Sequence, residues 1–111
     1  MFGEYGEITA TVAATDGTTV TLGTLPEGAR VVQVRAVVNP AWNYQGGESP
    51  TFEIGTAADT DALIDNINIG AIGSYITNLN KFFAPAAQLV ATQNPQGATV
   101  GSVAITIRYR L

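Results

Sequence analysis

The chain has 111 residues and a formal net charge of −4, and only 13% of its residues are charged, about half the usual share for a soluble domain. A chain of this length forms one domain around one hydrophobic core. It contains no cysteine and no histidine, which excludes disulfides, thiolate nucleophiles, Cys/His zinc sites and histidine bases, so we expect a non-enzymatic protein without cofactor or metal.

Residues 1–7 are predicted to form an N-terminal arm that precedes the first strand. The arm contains two aromatic side chains, Phe2 and Tyr5. Because termini without contacts fray and are seldom aromatic, we expect the arm either to lie on a neighbouring subunit or to pack against its own sheet. Phe2 and Tyr5 are therefore candidate interface residues.

Alternating residues predict a β-hairpin after the arm. Apolar residues alternate with threonine over residues 8–12 and 19–22, and Asp16 with Gly17 predicts the turn between them. A second turn is predicted at residues 25–29, where proline and glycine occupy positions typical of a tight turn.

Residues 30–38 are predicted to form a long, half-buried strand. Gln33 and Arg35 have the parity of its outward face. The opposite parity predicts four buried residues: Val32, Val34, Ala36 and Val38.

The loop over residues 39–50 contains Trp42 and Tyr44. Their rings either present exposed faces, for stacking on a sugar or for contact with a protein, or pack in the core. Because a lone tryptophan is seldom exposed on a monomer, the sequence favours the core for Trp42 and leaves Tyr44 open. Both remain candidate interface residues.

Three carboxylates, Asp59, Asp61 and Asp65, form the densest acidic cluster in the sequence. They could bind a hard cation such as Ca²⁺, but the spacing, glycine and terminal glutamate of an EF-hand loop are missing. Capping of a single helical turn is the favoured interpretation, with Leu63 and Ile64 pointing inward.

Further strands are predicted at residues 51–54 and 88–92, with less regular strands around Ile67 and Ile69 and near Ile72 or Ile76. Between them lies a pair of adjacent phenylalanines. We expect one of the two in the core and the other, with Phe82 as the candidate, in contact with a partner.

Residues 102–110 form the clearest predicted strand. Arg108 and Arg110 point outward, with Arg35 a candidate neighbour across the sheet. A solvated charged strip is the favoured interpretation, and bidentate pairing with a partner's carboxylates is the alternative. The inward face is predicted to carry Val103, Ile105, Ile107 and Tyr109.

About eight short strands without a proper amphipathic helix predict an all-β fold, a single antiparallel sandwich or barrel. The arm is assigned to residues 1–7 and the β-domain to residues 8–111. With five cations, the chain has too few positive charges for a nucleic-acid surface. No apolar run approaches the roughly 18 residues that cross a bilayer, so we expect neither nucleic acid nor membrane as a partner.

The succession of these segments resembles a family of small virion proteins. The residues that carry the resemblance are the turn and strand of 25–32, the strand of 51–55, the Asp-rich turn of 59–65 and the closing strand of 101–109. Proteins of this kind are jelly-roll capsid decoration (cement) proteins, or related structural proteins, of tailed bacteriophages. The resemblance implies a jelly-roll sandwich and a homo-oligomer, often a trimer, that sits on other virion proteins.

The expected function is therefore that of a capsid decoration protein, made in the host cytoplasm and located in the virion. It would stabilise the phage head by binding between capsomers, with the major capsid protein or other virion proteins as partners. Two alternatives stay open. One is a tail, baseplate or fibre subunit, and the other is a carbohydrate-binding jelly-roll module with Trp42 and Tyr44 as stacking platforms.

Overall fold

The computed structural model describes residues 5–43 and 49–111, which fold into two packed antiparallel sheets. No helix in this part of the chain is long and apolar enough to cross a membrane. The strands in chain order are β1 Tyr5–Ala13, β2 Thr19–Leu25, β3 Ala29–Val38, β4 Thr51–Gly55, β5 Ile64–Asn68, β6 Gly73–Phe83, β7 Ala87–Asn94 and β8 Ser102–Arg110.

The strand order is that of a jelly roll. The first sheet has the order β1-β8-β3-β6, and the second has the order β2-β7-β4-β5. Strand 1 therefore pairs with 8, 2 with 7, 3 with 6 and 4 with 5, as if one long hairpin had been folded over itself. This order confirms the predicted eight-stranded jelly-roll sandwich.

The predicted hairpin between β1 and β2 is wrong. β1 pairs with β8 in the first sheet, and β2 pairs with β7 in the second. The turn near Asp16 therefore carries the chain from one sheet to the other, and the Asp16 carboxylate accepts a hydrogen bond of 2.8 Å from the Ala13 amide. The alternating pattern specifies only which side chains of a strand face the core. Two strands in opposite sheets of a sandwich show the same pattern as two neighbouring strands of one sheet.

The first strand also begins earlier than expected. β1 starts at Tyr5, whereas the sequence predicted a start at residue 8, so residues 5–7 belong to the sheet. Gly6 lies directly opposite Tyr109 on β8, and a Cβ atom at Gly6 would lie 2.4 Å from the Tyr109 ring. The aromatic ring therefore fills the space above a glycine in an edge strand.

Most of the predicted core is confirmed. Along β8, the residues of the inward face are buried at Val103, Ile105 and Ile107, and Tyr109 packs partly buried against them. On β3 the prediction holds for Val34, Ala36 and Val38.

Val32 is the exception on β3, because Val31 is fully buried in its place. The register of β3 shifts between Val31 and Gln33 against both of its neighbours, which marks a β-bulge. The extra residue reverses the parity of the strand, and a pattern with a strict period of two cannot detect it.

The connection between β4 and β5 forms a turn, and the helical turn predicted for it is absent from the described residues. The backbone of Thr56 and Asp59 exchanges two hydrogen bonds, and the Thr56 hydroxyl accepts a third from the Asp59 amide. Leu63 and Ile64 point inward, as predicted. Gly55 permits this turn, since a Cβ atom there would lie 2.2 Å from the Asp59 carbonyl oxygen.

Candidate interface on the outer face of the first sheet

Four side chains form a row across the outer face of the first sheet, one from each strand. The register pairs Tyr5 with Arg110, Arg110 with Arg30, and Arg30 with Phe82. Because neighbouring strands lie about 4.8 Å apart, the row spans about 14 Å. Its two ends are aromatic and exposed, with Tyr5 at 75% and Phe82 at 51% of full accessibility.

A second row of polar side chains runs beside the first. Glu7 lies opposite Arg108, which lies opposite Gln33. The Arg108 Nε atom donates to the Glu7 carboxylate at 2.8 Å, and the Gln33 amide donates to the Asn78 oxygen at 3.1 Å. An exposed ion pair of this kind contributes at most about 1 kcal/mol, so it mainly orients Arg108.

The bulge at Val32 contributes to a groove on this face. A cavity of about 590 Å³ is lined by Val32 together with residues of both rows, among them Tyr5, Gln33 and Arg108. The same irregularity that takes Val32 out of the core thus places it among polar residues at the surface. We call the two rows and this groove the arginine–aromatic patch.

Arg30 is held in one orientation within the patch. Its guanidinium lies 5.2 Å from the centre of the Phe82 ring, within the range of a cation–π contact. It also donates to the Asn80 side-chain oxygen at 3.0 Å. Both contacts are with side chains of β6.

All four arginines of the chain lie on this sheet: Arg30, Arg35, Arg108 and Arg110. Within residues 5–43 and 49–111, Arg108 alone of them has a carboxylate within ion-pair distance. Arg35 lies opposite Thr106, two residues before Arg108 on β8, so it is a diagonal and not a direct neighbour of Arg108 on the same face. The residue that faces Arg110 is Arg30, because the bulge shifts the register between them.

Three acidic residues gather outside the patch. Carboxylate oxygens of Glu53, Asp61 and Asp65 lie within 4.8 Å of one another beside the β4–β5 turn. The Thr60 hydroxyl donates to Glu53 at 2.9 Å. Three carboxylates that each bind through one oxygen supply half or fewer of the six to eight oxygen ligands that Ca²⁺ takes.

Asp59 stands outside this group of three, so the trio proposed from the sequence is not the one that converges. A side-chain hydrogen bond with Asp61 holds the pKa of the Asp59 carboxyl above its usual value, with smaller contributions from desolvation and from the Asp61 charge. Lys81 acts in the opposite direction.

Trp42 lies in the core, as the sequence favoured, and is 2% exposed. Its Nε1 atom donates to the Gln93 side-chain oxygen at 3.0 Å, and the Gln93 amide donates in turn to the carbonyls of Ala13 and Gly17. A Cβ atom at Gly101 would lie 2.4 Å from the indole. Trp42 is therefore no stacking platform. It lies in the β3–β4 connection, packs on Gly101 in the β7–β8 connection and reaches the β1–β2 turn through Gln93.

Four of the predicted interface residues converge on the patch: Tyr5, Phe82, Arg108 and Arg110. Phe83 packs partly buried against the core, so one phenylalanine of the pair points each way, as expected. Phe2 and Tyr44 lie outside the described residues.

The sequence analysis missed Arg30. In a strand that alternates without interruption, Arg30 lies on the same face as Val32, two residues away, and that face was predicted to point inward. A positive charge at a predicted core position was the signal that the alternation breaks between the two residues.

No protein-family model matches the sequence, and no curated protein matches it. Three solved structures of phage capsids contain chains with a similar fold. The acidic stable capsid structure of Helicobacter pylori bacteriophage KHP30 contains a chain with a TM-score of 0.78 at 16% identity, over 96% of this chain and 87% of that chain.

Two further capsids give the same result. A chain of the cyanophage Pam1 capsid has a TM-score of 0.77 at 19% identity, over 98% of this chain and 86% of that chain. A chain of the Ralstonia phage GP4 capsid has a TM-score of 0.60 at 15% identity, over 97% of this chain and 83% of that chain. The resemblance predicted from the sequence is thereby confirmed at the level of the fold, which this chain shares along nearly its whole length with chains of three phage capsid structures.

Proposed function

We propose that this chain is a non-enzymatic virion protein that decorates the phage head and stabilises it by binding between capsomers. The observation that carries the proposal is the similarity of fold, over 96% to 98% of the chain, to chains of phage capsid structures. The exposed arginine–aromatic patch supplies a surface of the composition found in protein interfaces.

Stabilisation of a shell needs no chemistry beyond binding. A protein that binds the assembled shell and not its separate subunits shifts the equilibrium toward the shell by mass action. Contacts with two adjacent capsomers act together, because the first contact raises the effective concentration of the second. A stable contact of about 800 Å² per partner would take about one-seventh of the chain's accessible surface of 5860 Å².

We further propose that the protein acts as a homo-oligomer, with a trimer as the expected state, and that the major capsid protein is its partner. Two features support this proposal. The low charged fraction of 13% gives a free monomer little electrostatic protection against association. Two large aromatic side chains, Tyr5 and Phe82, are exposed on one face.

The test is to locate and count the protein in the particle. Mass spectrometry of purified virions and a map of the particle should give a copy number in fixed ratio to the major capsid protein, at sites between capsomers. Purified protein added to shells that lack it should co-sediment with them and raise their melting temperature. Sedimentation of the free protein should give a mass close to three times 11.5 kDa.

Two results would contradict the proposal. Density for the chain in the tail or baseplate would identify a tail subunit. Failure to co-sediment with shells, combined with saturable glycan binding, would identify a carbohydrate-binding module, although the burial of Trp42 has already removed one of its two expected stacking platforms.

A further inference from the structure

We propose that the arginine–aromatic patch binds a carboxylate-bearing segment of a shell protein, and that Arg30 and Arg110 together hold one carboxylate. The identity of the partner rests on the proposed function. The chemistry of the partner rests on the patch itself.

The first argument is the pairing of two like charges. Arg30 and Arg110 are direct cross-strand partners on β3 and β8. Side chains in such positions have Cβ atoms about 5 Å apart, and like charges directly opposite each other destabilise a sheet. A carboxylate between the two guanidinium groups replaces this repulsion with two charge-assisted interactions, and the planar fork of arginine fits a carboxylate in bidentate geometry.

The second argument is that half of this site is already ordered. Arg30 is fixed by the Phe82 ring and by the hydrogen bond to Asn80. A side chain that is held before binding loses less conformational freedom on binding than a free one. Its remaining N–H groups are available to an incoming acceptor, since it has no carboxylate partner in the described part of the chain.

The third argument is the composition around the arginines. Tyr5 and Phe82 stand exposed at the two ends of the row. Aromatic residues and arginine are the types most enriched at the energetically dominant positions of protein interfaces. The groove beside the row, with Val32 in its lining, extends the surface for the neighbouring side chains of an extended segment.

A polyphosphate is a poorer match for this surface than a protein carboxylate. Glu7 lies within the patch and occupies Arg108, so the patch offers a site for one or two anionic groups rather than a positive track. The net charge of −4 opposes a long, densely charged polyanion more strongly than a short segment with a few carboxylates. The same face of a second copy is a poorer match as well, because the patch carries three arginines and a single glutamate, Glu7.

Shell binding by charge-neutral variants is the first test. Arg110→Gln and Arg30→Gln should each weaken co-sedimentation with shells that lack this protein at least tenfold. Tyr5→Ala and Phe82→Ala should do the same. Arg35→Gln is the matched control, because it removes the same charge from the same face outside the two rows, and its effect should stay below twofold. Unfolding curves verify that each variant is folded.

A free probe tests the chemistry without shells. A capped peptide Glu-Leu-Glu-Leu-Glu should shift the guanidinium NMR signals of Arg30 and Arg110 more than that of Arg35, and the matched Gln-Leu-Gln-Leu-Gln peptide should not. Tighter binding of an oligothymidylate than of the acidic peptide would overturn the proposal in favour of a phosphate site. Equal response of all four arginines would overturn it as well.

The two proposals fail in different ways. If wild-type protein binds shells and Arg110→Gln binds them equally well, the patch is not the docking surface, while the decoration function stands. If wild-type protein does not bind shells but the acidic peptide shifts Arg30 and Arg110, the decoration function fails and the carboxylate site stands. If Arg110→Gln dissociates the free oligomer, the occupant is a second copy and the proposed partner is wrong.

Discussion

Trp42 donates its indole N–H to the side-chain oxygen of Gln93 across a distance of 3.0 Å in the interior of the protein. Gln93 is the one polar residue among the buried residues of the described chain. Its amide group also serves two backbone carbonyls, at Ala13 and Gly17. This single side chain therefore links β7 to the β3–β4 connection, to the end of β1 and to the β1–β2 turn, and its hydrogen bonds depend on one another.

Trp42→Phe is expected to lower the free energy of unfolding by at least about 1–3 kcal/mol, because it leaves the Gln93 oxygen buried without a donor. Gln93→Leu should also be destabilising, because it leaves the Trp42 indole N–H without an acceptor. The double variant should lose less than the sum of the two, with a coupling energy of about 0.5–3 kcal/mol. The measurement is urea unfolding followed by circular dichroism, since Trp42 is the only tryptophan. Strict additivity would show that the hydrogen bond does not matter.

Gly55→Ala should destabilise the protein through backbone crowding. The added Cβ atom would lie 2.2 Å from the Asp59 carbonyl oxygen, so the β4–β5 turn must move. Forced shifts of this kind in a packed region typically cost about 1–3 kcal/mol.

Gly73→Ala is the matched control at the start of β6. There the nearest atom to the new Cβ, in Tyr75, is 3.8 Å away, so the substitution should be neutral or slightly stabilising. Thermal unfolding of the two variants side by side provides the measurement. Equal melting temperatures would contradict the expected crowding at Gly55.

Asp59→Asn is expected to change the pH dependence of stability. The hydrogen bond with Asp61 raises the pKa of Asp59 above its ordinary value of 3.8, so folding favours the protonated carboxyl. The contribution of Asp59 to stability is therefore present below pH 3.8 and is lost as the pH rises through the raised pKa. The melting temperature of Asp59→Asn should match that of the wild type near pH 3 and exceed it at neutral pH.

The control for this effect is an Asp61→Asn background. With Asp61 neutral, the main cause of the raised pKa is gone, so the second substitution should add no pH-dependent difference. A high salt concentration should also reduce the effect, because both carboxyl groups are exposed. A difference between Asp59→Asn and the wild type that is the same at every pH would contradict this origin.

The inward-facing residues were predicted well in strands whose alternation is regular from end to end. Along β8, alternation is unbroken from Val103 to Ile107, and the buried residues follow from the period of two. Near Val32 the same argument fails, because the bulge adds one residue to β3 and a strict period of two makes no allowance for it.

The patch could be predicted as a set of residues but not as a site. Tyr5, Phe82 and Arg110 were each identified from their residue type and position, yet they lie far apart along the chain. Only the pairing of β1 with β8, and of β3 with both β8 and β6, brings them into one row. Pairings between distant strands depend on the whole fold, and the predicted hairpin shows that sequence proximity is a poor guide to them.

The pairing of Arg30 with Arg110 makes a further prediction about the free protein. Arg110→Gln should raise the free energy of unfolding by about 0.2–1 kcal/mol, because it removes the repulsion between two like charges on neighbouring strands. Arg108→Gln, two residues away on the same strand, should lower it by about 0.2–1 kcal/mol, because it removes the exposed ion pair with Glu7. The two substitutions are chemically identical, so opposite signs would come from the neighbours alone. Urea unfolding at low ionic strength and again at 1 M NaCl provides the measurement, and salt should bring both differences toward zero. A loss of stability in Arg110→Gln at low ionic strength would show that the two arginines do not repel each other, and the argument for a carboxylate between them would lose its electrostatic basis.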